Sequence, residues 1–144
     1  MSARSDPCCS FCSSIPAEHP DIPEPKGLLV AEWVMSALRG QGLVDLKLEN
    51  WRDVGYSVDC TIDGWSVYCV LSHLGDGERE WMLCCTSDIG AVGRLFGRND
   101  ESARKKLAKA VDDALHAGAD FSQVRWYTVS GWHGNRDDPW QEHP

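Results

Sequence analysis

The chain has 144 residues, and 14 Lys and Arg against 22 Asp and Glu give it a net charge of −8 at pH 7. This length is typical of about one domain. The acidic balance argues against a nucleic-acid or polybasic membrane role, since such partners attract basic proteins. No apolar run is long enough for a membrane-spanning helix, and the opening MSARSDPCCSFC lacks the apolar core of a secretory signal. We therefore expect a cytoplasmic protein.

Residues 1–27 hold five of the seven prolines. Proline fixes φ and removes a backbone donor, so this segment predicts an extended or disordered leader before the folded domain. Cys9 and Cys12 have the C-x-x-C spacing that brings two thiolates to one zinc ion, with Cys8 and His19 as further candidate ligands. No second pair of ligands follows at a usual distance, so incidental thiols on a leader are the alternative, and no other cofactor is expected.

The remaining four cysteines lie in stretches that predict strands, where cysteine acts as a small hydrophobic residue. They are Cys60, Cys69, Cys84 and Cys85. In a reducing cytoplasm, structural disulfides are not expected.

The first predicted helix covers residues 28–38, LLVAEWVMSAL. Leu29, Trp33 and Ala37 share one helical face, with further apolar residues beside it, so the helix is expected to be substantially covered. Gly40 or Gly42 is expected to end it.

Three stretches of alternating apolar and polar residues follow, over residues 44–49, 56–63 and 65–72. Asp63-Gly64 is typical of a two-residue hairpin turn, because both residues accept positive φ. The turn then pairs apolar residues on one face: Ile62 with Trp65, Cys60 with Val67, Val58 with Cys69, and Tyr56 with Leu71.

A fourth strand is predicted over residues 80–86 after a turn at residues 75–77. A loop of odd length places Trp81, Leu83 and Cys85 on the buried face, which is the arrangement we predict. A two-residue loop instead buries Met82 and Cys84.

A second helix is predicted after Asn99 or Asp100 as its N-cap, with an apolar stripe and a stop at Gly118, and a last strand covers residues 124–129. The order α-β-β-β-β-α-β predicts one α+β domain over residues 28–130. In it, a four-stranded antiparallel meander carries two helices on one face and a fifth strand at an edge. Residues 131–144 predict a polar tail that contains tryptophan.

A glycine-rich loop precedes the second helix, and backbone N–H groups at a helix N-terminus favour anions. Gly90, Gly93, Arg94 and Arg98 are its candidate anion-binding residues. The spacing fits neither common phosphate-binding glycine motif. Residues 94–109 carry six basic against two acidic residues, which indicates either a basic binding patch or a solvated helix face.

No catalytic residues are predicted. The five histidines lack the helical spacing of zinc hydrolases, no G-x-S-x-G motif is present, and the adjacent Asp112 and Asp113 point about 100° apart on a helix. Three tryptophans fall outside the predicted core: Trp51, Trp132 and Trp140. They are candidate partner-binding residues, because aromatic side chains anchor interfaces. A tail folded back over the sheet is the alternative.

We therefore predict a protein-binding module rather than an enzyme, such as a secretion-chaperone-like, immunity-protein-like or toxin-neutralising adaptor. It would bind another protein through an open sheet face or an aromatic patch, and the analogy rests on element order alone. An exposed edge strand would also allow a homodimer. The alternative is a small anionic-ligand-binding or enzymatic domain that uses residues 90–97.

Overall fold

Seven antiparallel strands and two helices build the fold in the computed structural model, which describes residues 6–75, 80–87, 100–127 and 140–144. The helices are α1 (Leu28–Gly40) and α2 (Glu101–Ala117). The strands are β1 (Cys8–Ser13), β2 (Val44–Trp51), β3 (Gly55–Ile62), β4 (Trp65–His73), β5 (Glu80–Ser87), β6 (Phe121–Tyr127) and β7 (Trp140–Gln141). They form one open sheet in the order β2-β3-β4-β5-β1-β6-β7. The α+β class and the helices packed on the sheet are confirmed.

The β3–β4 hairpin has the predicted register. All four predicted apolar pairs are cross-strand partners, from Ile62 with Trp65 to Tyr56 with Leu71. Asp63 and Gly64 have φ of 53° and 80°, as the primed turn requires. The buried face of β5 is also confirmed, since Trp81, Leu83 and Cys85 are all fully buried.

Strand β1 differs from the prediction for residues 1–27. It lies between β5 and β6 and pairs with both, so that Cys9 is opposite Leu83 on one side and Trp126 on the other. Cys9 and Phe11 belong to the hydrophobic core. The prolines flank this strand and leave residues 8–15 uninterrupted, which is why it can pair on both sides. The predicted edge position of the last strand is therefore wrong, because β6 lies between β1 and β7, and β1 separates it from β5.

Helix α1 is fixed to the sheet through its N-cap, Gly27. Its φ of 114° favours glycine, and a Cβ there would lie 2.8 Å from the Trp81 ring. The most buried face of α1 contains Val30, Val34 and Leu38, whereas the predicted central residues Leu29, Trp33 and Ala37 are half-buried.

Helix α2 packs on the same side of the sheet as α1 and buries Leu107, Val111 and Leu115. Its N-cap is Asp100, whose carboxylate makes no cap hydrogen bond and instead pairs with Arg104. Gly118 follows the helix, but its φ is −80°, so it is not the left-handed stop that the sequence predicts. Glycine is needed there because a Cβ would lie 2.8 Å from Trp33 and Phe121. In the described part of the chain, neither helix is long and apolar enough to cross a membrane.

Candidate functional site

Strand β2 lies at one end of the sheet: it pairs with β3 on one side, and no strand of the described residues pairs with its other side, which we call the free edge. Leu46 and Leu48 face the helices and are half-buried at the margin of the core. Lys47 and Glu49 point to the opposite, open face, where Nζ of Lys47 lies 2.7 Å from Oε1 of Glu49. A backbone edge with one apolar and one charged row of side chains is a surface on which another strand can pair.

Trp51 ends β2 on the open face. Its ring centroid lies 5.4 Å from that of Tyr68, and the Arg52 guanidinium lies 4.7 Å above it. The next turn is held by Asn50 and Asp53, since the Asp53 N–H donates to the Asn50 side-chain oxygen at 2.8 Å. This predicted partner-binding residue is therefore fixed beside the free edge.

Trp140 lies in β7, at the far end of the sheet from Trp51. It is 48% exposed, and the Arg125 guanidinium lies 4.8 Å from its ring centroid. Trp132 lies outside the described residues. Trp51 and Trp140 therefore lie at opposite ends of the sheet and do not form one aromatic patch.

The predicted anion-binding residues Gly90, Gly93, Arg94 and Arg98 also lie outside the described residues. The basic residues of α2 that follow them are described, and each has a carboxylate partner. These pairs are Arg104 with Asp6 and Asp100, Lys105 with Glu101, Lys106 with Asp63, and Lys109 with Asp113. The positive charge of α2 is therefore neutralised locally, which is typical of a solvated, ion-paired helix face.

The candidate zinc ligands near the N-terminus are not brought together. Cys8 is disulfide-bonded to Cys84, its opposite partner in β5, whereas the adjacent Cys9 points to the other face of the sheet. Cys12 and His19 are both half-buried, and Nδ1 of His19 accepts hydrogen bonds from the backbone N–H groups of residues 21 and 22. The Cys8–Cys84 bond also contradicts the prediction that structural disulfides are absent. The sheet register produces this bond, and no local pattern in two distant segments reveals that register.

Buried thiols line the helix-covered face of the sheet. Burial raises the pKa of Cys9 and Cys85 well above the usual value and the pKa of Cys69 to about 12. Since the thiolate is the nucleophile and metal ligand, these three side chains act as core residues at neutral pH.

A cluster that the sequence did not predict lies at the C-terminal half of α2. Asp112 and His116 are one turn apart, and His143 reaches them from the segment after β7. Nδ1 of His116 lies 3.0 Å from Oδ1 of Asp112, and Nδ1 of His143 lies 2.7 Å from its Oδ2. The hydrogen bond to Asp112 raises the pKa of His143 above its usual value.

The Asp112 carboxylate is 4% exposed and is held from the sheet side. The buried Trp126 side chain in β6 donates its indole N–H to Oδ1 at 2.8 Å. His116 also donates from Nδ1 to the Asp112 carbonyl at 2.9 Å. One buried carboxylate thus organises an indole and two imidazoles.

Asp112 and His143 of this cluster line a cleft of about 740 Å³ between α2, β6 and residues 141–144. Lys109, Gln141 and the buried Arg104 also line this cleft. Arg104 donates to Asp6 Oδ1 at 2.8 Å, which joins the segment before β1 to α2. The cleft is partly enclosed, has both apolar and polar side chains in its lining, and is bounded by separate parts of the chain.

Sequence reasoning missed this cluster for two reasons. The spacing of zinc hydrolases pairs His with Glu or with a second His, whereas the relevant spacing here is Asp112 four residues before His116. His143 falls in the predicted polar tail, and the sequence does not show that β7 returns this segment to α2. The Asp-x-x-x-His spacing on a predicted helix was the available signal.

No family model, curated protein or solved structure matches this chain. The geometry of the described residues is therefore the basis on which a function can be assigned.

Proposed function

We propose that this chain is a protein-binding module, that it binds through the free edge of β2, and that the bound protein is a second copy of the same chain. The observation that carries the proposal is the position of β2. It is an eight-residue strand at the end of the sheet, and Val44, at its start, is 57% exposed. Edges of this length are usually covered, shortened or paired, because their outer N–H and C=O groups otherwise form a template on which another strand can pair.

The charges of β2 select one register for a symmetric antiparallel pair. With the two-fold axis at Leu48, Lys47 of each copy lies opposite Glu49 of the other copy, on the open face. Moving the axis to residue 47 or 49 places two like charges opposite each other, which is unfavourable. The sequence of β2 is therefore electrostatically self-complementary in one register.

The apolar row supports the same register. Leu48 of one copy meets Leu48 of the other on the helix side, where both side chains are half-buried in the single chain. Pairing removes this apolar surface from water and continues each core across the axis. Both copies then carry their helices on the same side, so that the two sheets become one.

A backbone irregularity limits the length of the pairing. Asp45 has a φ of 58°, and the β2–β3 register shifts between Val44 and Lys47. Bulges of this kind blunt sheet edges. The pairing is thus confined to about residues 46–50, which predicts a weak dimer with a Kd of about 10–100 µM, typical of small interfaces.

Sedimentation velocity over a concentration series tests the proposal. Lys47→Glu places like charges at both symmetric positions and should weaken dimerisation by about 5- to 30-fold. The double variant Lys47→Glu/Glu49→Lys restores opposite charges across the axis and should restore the wild-type Kd.

Lys105→Glu is the matched control, because it makes the same change in net charge at an exposed position of α2, away from β2. It should leave the Kd unchanged. A wild-type chain that remains monomeric up to about 1 mM contradicts the proposal, since this limit corresponds to only about −4 kcal/mol of binding free energy. A double variant that fails to recover dimerisation contradicts the register.

A further inference from the structure

The cluster of Asp112, His116 and His143 has the composition of a metal site. We propose that these three side chains bind one divalent transition-metal ion of the zinc type. Their ligand atoms, one carboxylate oxygen and two imidazole nitrogens, lie within 4.8 Å of one another. Neutral imidazole and carboxylate are common ligands of Zn²⁺ and of its neighbours in the first transition row.

Two of the ligands are set by helix geometry. Residues four apart on a helix lie one above the other on the same face, so α2 presents Asp112 and His116 together. The third ligand comes from a separate part of the chain, and its imidazole is 63% exposed. Two fixed ligands and one adjustable ligand allow the site to close around an ion without moving α2.

Trp126 supports the carboxylate in the way that outer hydrogen bonds support metal ligands. Its indole N–H occupies one direction around Oδ1 of Asp112 and fixes the orientation of the carboxylate. Such supporting contacts hold metal ligands in position. Oδ2 faces His143 at 2.7 Å and has no contact with the indole N–H, which binds the other oxygen.

Three protein ligands leave one position of a tetrahedral ion for water. The cleft supplies that position, since two of the three ligands, Asp112 and His143, lie in its wall beside Lys109 and Gln141. The net charge of the ligand set is −1 when both imidazoles are neutral, so a divalent ion also compensates the buried Asp112 carboxylate. This arrangement is that of an open metal site rather than a closed structural one.

Existing hydrogen bonds oppose the ion and limit its affinity. Nδ1 of His116 donates to the Asp112 carbonyl and Nδ1 of His143 donates to its carboxylate. Where Nδ1 is the ligand atom, its lone pair must face the metal, so the ring proton must lie on Nε2 and the hydrogen bond from Nδ1 must be released. We therefore expect affinity in the micromolar range, a binding free energy of about −8 kcal/mol.

Titration of the full-length, chelator-treated chain with Co²⁺ tests the site. Visible d–d absorption should saturate at one ion per chain, without the ultraviolet band of thiolate ligands, and competing Zn²⁺ should abolish it. His116→Ala and His143→Ala should each weaken binding at least about tenfold, since each removes a direct ligand.

His19→Ala is the matched control, because this histidine lies outside the cluster and its removal should leave binding unchanged. Histidine side-chain NMR of the wild-type chain with Zn²⁺ gives a second measurement that needs no variant. The signals of His116 and His143 should shift, and that of His19 should not. A thiolate band, wild-type affinity in the His116 and His143 variants, or no binding below about 1 mM would overturn the proposal.

Discussion

Strands β1 and β2 occupy opposite situations in one sheet. The sequence of β1, CCSFCS, contains no charged residue, and five of its six residues are buried. The sequence of β2, VDLKLENW, contains three charged residues and no fully buried one. Among the strands that the structure describes, β1 has a neighbour on each side and β2 has a neighbour on one side only. The charges therefore mark the position of a strand in the sheet and say little about whether a strand forms.

Because of this difference, substitutions in β1 and in β2 should affect different properties: the stability of the fold in β1 and association with another chain in β2. A side chain removed from β1 affects the core and two strand pairings, so the whole fold should lose free energy of unfolding. A side chain removed from β2 affects a margin that opens locally at low cost. Variants of β1 should therefore unfold the chain, whereas variants of β2 should change what the chain binds.

The largest effect is expected from Phe11→Ala in β1. Phe11 is 2% exposed and packs edge-on against Phe121, with ring centroids 5.6 Å apart. Its removal should lower the free energy of unfolding by about 3–5 kcal/mol, because a cavity replaces a buried ring. Urea unfolding followed by circular dichroism measures this loss. Val44→Ala at the exposed edge is the control and should change stability by no more than about 0.5 kcal/mol. Equal effects would contradict the contrast between the strands.

The next effect concerns the bond that ties β1 to β5. Cys8 and Cys84 are 76 residues apart, so their disulfide restricts a long loop in the unfolded chain. Cys84→Ala should lower the free energy of unfolding by about 2–4 kcal/mol, and a reducing agent should have the same effect on the wild-type chain.

The reducing agent should then have no further effect on Cys84→Ala. Cys12→Ala, in the same strand as Cys8 but outside the disulfide, should retain the response to reduction. A wild-type chain whose stability is unchanged by reduction would show that this pair makes no contribution.

Local sequence predicted those parts of the fold in which neighbouring residues determine the outcome. The β3–β4 register follows from a two-residue turn and a period of two, so the sequence alone pairs Cys60 with Val67. β1 could not be placed in this way, because its partners lie more than 65 residues away in β5 and more than 105 residues away in β6. Its flanking prolines also suggested a leader. Long-range pairing leaves no local signal in one sequence.

The same limit applies to the sites. The sequence identifies Trp51 as an aromatic residue outside the predicted core, and the structure places it at the free edge. The link between Asp112 and His143 depends on the return of the chain along β6, and no spacing rule connects residues 31 apart. For Asp112 and His116, the spacing of four residues on the predicted helix was sufficient to place both side chains on one face.

The smallest effect is a pH dependence that belongs to the interior of the sheet. Burial raises the pKa of Cys69 from 9.0 to about 12, so the folded chain retains this proton in a range where the unfolded chain releases it. The unfolded state then binds fewer protons, and the free energy of unfolding should fall as pH rises above about 9, by up to about 1.4 kcal/mol per pH unit. Below about pH 9 both states are protonated and this contribution is absent.

Urea unfolding at several pH values between about 8 and 11 should show a shallower decline for Cys69→Ala than for the wild-type chain. Only slopes are compared, because the substitution also creates a cavity that lowers stability equally at every pH. Val67→Ala is the control, since it also makes a cavity at a fully buried position but removes no thiol, and it should leave the slope unchanged. Parallel slopes for wild type and Cys69→Ala would show that the thiol does not retain its proton in the folded chain. The interior thiols of the sheet would then be accessible to solvent, contrary to their burial beneath the helices.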